Sequence, residues 1–143
     1  MHPANEVPRE YHQYLDNPIC KLPDSFKDER GEIIPMVDTE MKSSVIITSK
    51  SGSVRANHYH KTDWHYCYVV TGSIDYYWRK VGSKEKPLKI RVKTGETFFT
   101  PPMLEHAMVF PEDCIFICLG RNPRDQKSYE ADIVRVQVVP FQN

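Results

Sequence analysis

The stretch NHYHKTDWHYC, residues 57–67, decides how this chain is read, because it sets His58, His60 and His65 within eight positions of a sequence that holds six histidines in all. Residues two apart in a β-strand point to one face, so His58 and His60 project side by side while Tyr59 turns away. The polar KTDW segment is as short as a hairpin turn, and it returns His65 to the level of the pair on a neighbouring strand.

The flanking sequence has the same period. SSVIIT at 43–48, SVRANHYH at 53–60, HYCYVVTG at 65–72, SIDYYWRK at 73–80, LKIRVK at 88–93, ETFFT at 96–100, HAMVF at 106–110, CIFICL at 114–119 and DIVRVQVV at 132–139 give nine strand candidates and no convincing helix. LKIRVK is the clearest two-faced one, with Leu88, Ile90 and Val92 inward and Lys89, Arg91 and Lys93 in water. Short strands without helical crossovers predict an all-β antiparallel sandwich or barrel. The first 42 residues, with prolines at 3, 8, 18, 23 and 35, read instead as an extended N-terminal arm, and residues 43–143 as a single β-barrel domain. The apolar Ile33, Ile34, Met36 and Val37 in that arm suggest that it is lent to a second subunit in a homodimer.

With 19 basic and 19 acidic residues the chain has no net field to draw it to nucleic acid or to an anionic membrane, so a small-molecule ligand is the natural partner. No apolar run approaches the roughly 20 residues that span a bilayer, and the start lacks an export-signal pattern, which predicts a cytoplasmic protein. Cys20, Cys67, Cys114 and Cys118 form no C-x-x-C pair and read as free thiols, Cys67 packing on the face of His65.

Neutral imidazoles on rigid strands suit a divalent transition metal such as zinc, iron, nickel or manganese, with open positions for water or substrate. His106 is a fourth candidate ligand, because Pro101 and Pro102 force a turn before it; Glu105 beside it points to the other face.

The spacing also carries a resemblance. Gly52, His58, His60, His65 and Gly72 follow the first cupin motif with His65 in place of its glutamate; Gly95, Pro101 and His106 follow the second, with Met103 and Phe110 departing from it. The chain therefore resembles the cupins, which implies a double-stranded β-helix, or jelly-roll barrel, binding a metal through His58, His60, His65 and His106. A narrower likeness, carried by Asp28, Glu29, Arg30 and Gly31 and by Arg55, His58, His60 and Lys61, is to the RmlC-like branch of sugar-nucleotide 3,4-ketoisomerases and, more distantly, 3,5-epimerases. Ala56 stands where that branch has glycine, Tyr59 where it has alanine, and His65 where it has glutamine. That likeness implies a nucleotide-sugar substrate and catalysis by His58 and His60, which move protons beside a ketone without a metal.

Guanidinium groups clamp phosphate oxygens two at a time, which makes Arg55, Arg121 and Arg124 candidates for a diphosphate. Tyr68 and Tyr77, with Tyr66, Tyr76 and Trp78, offer stacking surface for a base or sugar. Four readings stand at this point: a four-histidine metal cupin acting on a small polar metabolite, a metal-free isomerase or epimerase, an iron-dependent oxygenase, and a non-catalytic ligand-binding cupin.

Overall fold

The computed structural model describes residues 6–140, so Pro3 and the rest of residues 1–5 in the arm, and residues 141–143 at the end of the barrel domain, lie outside the described residues. Strands β3 (Ser43–Ser49), β4 (Val54–His60), β5 (His65–Thr71), β6 (Ser73–Lys80), β7 (Leu88–Lys93), β8 (Thr97–Thr100), β9 (Leu104–Val109) and β10 (Cys114–Gly120) follow one another through short turns. They are preceded by a hairpin of β1 (Phe26–Asp28) and β2 (Gly31–Ile33), and followed by helix α1 (Gln126–Asp132) and β11 (Ile133–Arg135).

The strands form two antiparallel sheets, a four-stranded one ordered β3-β10-β5-β8 and a five-stranded one ordered β11-β4-β9-β6-β7. The expected cupin jelly roll is thus the architecture, as two facing sheets that do not close into a continuous barrel. Between them Cys67, Val69, Ile74, Tyr76, Trp78, Phe98, Leu104, Phe110 and Phe116 make the apolar core. They interdigitate because alternate residues of each strand face inward. β7 lies at an edge of its sheet, so of its apolar residues only Val92 is fully buried and Leu88 is exposed.

Two left-handed positions shape the strand ends. Gly72 has φ +85, and a side chain there would run into the Asp113 carbonyl oxygen, so only glycine fits between β5 and β6. Ala56 and Asn57 have φ 68 and 53, and the ladder to β9 slips between Ala56 and His58. This bulge turns Asn57 outward against the segment after β11, where its Oδ1 accepts from the N–H groups of Val138 and Val139 at 3.0 Å and its Nδ2 donates to the Val139 carbonyl. His58 and His60 are thereby set on the inner face, with Val138 and Val139 packed on Ala107 behind them.

The arm lies on its own chain for much of its length. A 3-10 helix, Arg9–Tyr14, puts Tyr11 and Tyr14 on Phe99; the Trp78 indole N–H donates to the Leu15 carbonyl at 2.7 Å, and Ile19 bridges to Phe98 at the edge of β8.

The 3-10 helix and the β1–β2 hairpin in the arm escape the sequence expectation, as do α1 and the short β11. α1 is only seven residues long, too short to show helical period, although Asp125 caps it by accepting from the Ser128 N–H at 2.9 Å. α1 takes Asp132 from the expected 132–139 strand, and pairing with β4 ends at Arg135, which leaves the three residues of β11.

Candidate functional site

All four imidazoles meet between the sheets. His58 and His60 come from β4, His106 from β9 directly opposite His58 in register, and His65 from the first position of β5. Ring centroids are 4.8 Å apart for His58 and His60, 4.9 Å for His58 and His106, and 4.7 Å for His60 and His65. All four side chains are buried.

Their partners divide them. The His60 Nδ1 lies 3.1 Å from the Asp132 carboxylate, which can only accept, so Nδ1 carries the hydrogen and Nε2 is left as a lone pair in the cleft. Asp132 stands at the end of α1 and is fixed by three donors from the turn after β4: the Thr62 N–H at 2.8 Å, the Thr62 hydroxyl at 2.6 Å and the Asp63 N–H at 3.2 Å. Burial works against its charge, but the His60, Thr62 and Asp63 donors outweigh that and hold the carboxyl well below its ordinary value. His106 likewise donates from Nδ1, to the Leu104 carbonyl at 3.0 Å, and its Nε2 is also free of hydrogen.

Burial, followed by mutual repulsion among the rings, keeps His58 neutral with its pKa pushed down to about 3, and lowers His106 well below the usual imidazole value. His60 is lowered too, burial outweighing the pull of Asp132. His65 goes the other way. Burial disfavours its charge, yet the Cys118 sulfur and the Asp63 carboxylate, 2.9 Å from its Nε2, raise it above the ordinary value. Asp63 is itself positioned by accepting from the N–H groups of Trp64 and Asn122, both at 2.9 Å.

Tyr129 of α1 stands at the same cleft, its ring 6.2 Å from His58 and 6.0 Å from His60, with the Arg124 guanidinium 3.8 Å above it. Arg124 makes no ion pair among the described residues. Tyr76, fully buried on the inner face, lies 6.1 Å from His106.

The other expected substrate residues are spread out. The Arg55 guanidinium is bonded to the Ser49 hydroxyl at 2.8 Å and the Thr48 carbonyl at 3.0 Å. Arg121 lines a shallow cleft on the arm side with Glu40, Lys42 and Trp64. Tyr68 alternates with His65, Cys67 and Val69, hence onto the outer face of the four-stranded sheet. Tyr77 lies on the outer face of the other sheet, in a groove of about 700 Å³ with Val54, Val109, Val138 and Val139, away from the histidines. Asp63, Tyr129 and Asp132 are site residues that motif reading missed: Asp63 sat inside the opening stretch, Tyr129 comes from the unexpected α1, and Asp132 joins His60 across 72 positions of chain.

Comparison with known proteins adds the family. A family model described as the polysaccharide biosynthesis C-terminal domain matches residues 26–115. The chain belongs to the polysaccharide biosynthesis C-terminal domain family. No curated protein matches this family member in sequence. Among solved structures, the sugar 3,4-ketoisomerase QdtA of Thermoanaerobacterium thermosaccharolyticum, in complex with TDP, is similar at TM-score 0.67 and 17% identity, over 85% of this chain and 90% of QdtA. The dTDP-4-dehydrorhamnose 3,5-epimerase of Sulfolobus tokodaii matches at TM-score 0.61 and 20% identity, over 75% of this chain and 71% of the epimerase. The capsular polysaccharide assembling protein CapF of Staphylococcus aureus matches at TM-score 0.61 and 21% identity; 85% of this family member corresponds to 35% of CapF. At these identities the likeness shows the fold, an RmlC-like cupin.

The expected divalent transition metal is corrected. QdtA, the Sulfolobus tokodaii protein and NovW, three of the structures this family member resembles, are a sugar 3,4-ketoisomerase and two sugar epimerases, the branch whose resemblance implies proton transfer without a metal. The proposed ligand set fails on geometry as well: nitrogens of His58, His60 and His106 come within 4.8 Å of one another, but His65 is outside that group, its Nε2 taken by Asp63. The Asp63 contact and the upward shift it causes make His65 a poorer donor to an ion than its three neighbours. Among the described residues no helix is long and apolar enough to cross a membrane.

Proposed function

We propose that this chain is a metal-independent isomerase or epimerase of a nucleotide-linked keto-sugar, with His60 as the base. The observation that carries the reading is the buried His60 and Asp132 pair, which fixes the tautomer and presents an unprotonated Nε2 among neutral rings. A base for this work needs a lone pair near neutral pH and a fixed direction, and a carboxylate behind imidazole supplies the direction.

Nε2 takes the proton from the carbon beside the ketone, and the electron pair moves onto the carbonyl oxygen to give an enolate. Returned to the same carbon from the other face, the proton inverts that centre; delivered to the former carbonyl carbon, with loss of the adjacent hydroxyl proton, it moves the ketone by one position. His58, 4.8 Å from His60 and neutral, is the second proton carrier, and the Tyr129 hydroxyl donates to the developing enolate oxygen. Arg124, exposed and without a carboxylate partner among the described residues, meets the diphosphate. The QdtA ketoisomerase fold, seen with TDP and in a variant with TDP-4-keto-6-deoxyglucose, supports the substrate class.

The protein further acts as a homodimer. Its β1–β2 hairpin sets Phe26 opposite Ile33, 59% and 67% exposed, a pair suited to burial against a second subunit. Equilibrium sedimentation reads that state directly.

Incubation with TDP-4-keto-6-deoxyglucose in deuterated buffer, after exhaustive chelation, tests the activity. Deuterium enters at the carbon beside the ketone, and His60→Asn slows its entry by about 10²-fold or more. Absence of exchange with both thymidine- and uridine-linked keto-sugars would falsify the proposal.

A further inference from the structure

The inner face of the four-stranded sheet holds two thiols that the proposed reaction leaves unused. Cys67 of β5 and Cys118 of β10 are direct cross-strand partners, and the Cys67 thiol donates to the Cys118 sulfur at 3.4 Å. Residues opposite one another in an antiparallel ladder have Cα atoms about 4.5–5.5 Å apart, within the span of a disulfide. Side-chain rotation alone therefore brings the sulfurs to the roughly 2.05 Å of a bond, with both strands left in register. Cys114 has Ser49 as its partner in the ladder, and Cys20 sits in the arm beside Thr97.

We propose that Cys67 and Cys118 form a peroxide-oxidisable dithiol site, in which Cys118 attacks and Cys67 resolves. The Cys118 thiolate attacks one peroxide oxygen, breaking the O–O bond and releasing hydroxide, and becomes a sulfenic acid. The Cys67 sulfur then attacks the Cys118 sulfur; the S–O bond breaks, the Cys67 proton leaves with the hydroxyl as water, and a disulfide remains. Peroxide is the two-electron oxidant, and the two thiols together are reduced species that give up those electrons.

The assignment of roles follows the surroundings. Cys118 is half-buried, whereas Cys67 has no exposure, so peroxide meets Cys118 first. The hydrogen bond from Cys67, opposed by burial and helped by the charges of His65 and Arg124, brings the Cys118 thiol down to about 6, and the same bond holds the Cys67 thiol well above its ordinary value. Closing the bond removes the negative charge that Cys118 turns toward His65 and leaves Asp63 as its counter-charge. The site stands on the thiol geometry and does not depend on the proposed sugar chemistry.

The test treats the reduced full-length protein with a small excess of hydrogen peroxide, quenches with iodoacetamide in denaturant, and maps the peptides by mass. The expected product is one Cys67–Cys118 cross-linked peptide, reopened by dithiothreitol. Cys118→Ser slows thiol loss at Cys67 by about tenfold or more. Cys67→Ser leaves Cys118 as a sulfenic acid that dimedone traps, and the Cys20→Ser/Cys114→Ser double variant oxidises like the parent. Retention of all four free thiols of the parent, a cross-link through Cys20 or Cys114, or a Cys118 that dimedone does not label overturns the proposal.

Discussion

The five-stranded sheet and the four-stranded sheet each hand histidine to one cleft, but with imidazole pKa values shifted in opposite directions. From the five-stranded sheet come His58, His60 and His106, held neutral by burial and by one another. From the four-stranded sheet comes His65, which the Cys118 sulfur and the Asp63 carboxylate raise toward the charged form. Two carboxylate–imidazole pairs of nearly the same length, 3.1 Å and 2.9 Å, thus end differently. The contrast lies in the rest of the surroundings: His60 has three imidazoles about it and a carboxylate already engaged by three donors, while His65 has two anionic groups. A carboxylate neighbour alone does not decide whether an imidazole is a base or a cation.

The sharpest way to break the comparison is to remove each ring in turn. His60→Asn is expected to cut deuterium exchange into a keto-sugar by about 10²–10⁴-fold, and Asp132→Asn by somewhat less, since general-base catalysis contributes on that scale. His65→Asn should cost about tenfold or less, because no proton of the substrate passes through it. Equal losses at His60 and His65 would erase the distinction.

Acid stability sharpens it further. The folded pKa values of His58, His60 and His106 lie below their unfolded values, so these groups contribute stability above about pH 6.5 that is lost as pH falls. For His58, whose folded value lies near 3, the cost is up to roughly 1.4 kcal/mol per pH unit between about pH 6.5 and that value; His60 and His106 act in the same direction. His65 has the opposite sign: its folded value is raised, so its stabilisation is complete below about pH 6.5 and fades as pH rises through the folded value. Denaturant titrations from pH 7 to pH 5 should show falling stability, with a steeper fall in His65→Asn.

A smaller effect is expected at the bulge that aims the neutral rings. Asn57→Ala removes three buried hydrogen bonds to Val138 and Val139, and should lower stability by about 2–4 kcal/mol with its largest functional effect on His58. The smallest is at its neighbour. Ala56 adopts φ 68, where glycine carries no steric cost, so Ala56→Gly should change stability by less than about 1 kcal/mol, in the favourable direction. Both are read from urea midpoints.

The gathering of the four rings was legible in the sequence. Strand alternation placed His58 with His60, the hairpin length returned His65, and the two prolines placed His106; the period-two runs gave an antiparallel sandwich or barrel, and the cupin resemblance made it a jelly roll. The same parity carries Tyr68 away from His65, and Tyr77 away from Tyr76 and Trp78, to the outer faces. What spacing could not reveal was charge. Asp132 reaches His60 from a seven-residue helix, Cys118 reaches His65 from a strand 51 positions beyond Cys67, and only tertiary contact makes either a neighbour. A histidine-rich stretch without those partners reads equally as a metal site.

The account rests on those charge states, and imidazole nitrogen NMR on protein labelled at histidine measures them at pH 7 without any substrate. The predicted spectrum shows His58, His60 and His106 neutral, His60 with its hydrogen on Nδ1, and His65 more protonated than the other three and than a free imidazole. A protonated His60, or a His65 less protonated than a free imidazole whose signals move on addition of a divalent transition metal, would contradict it.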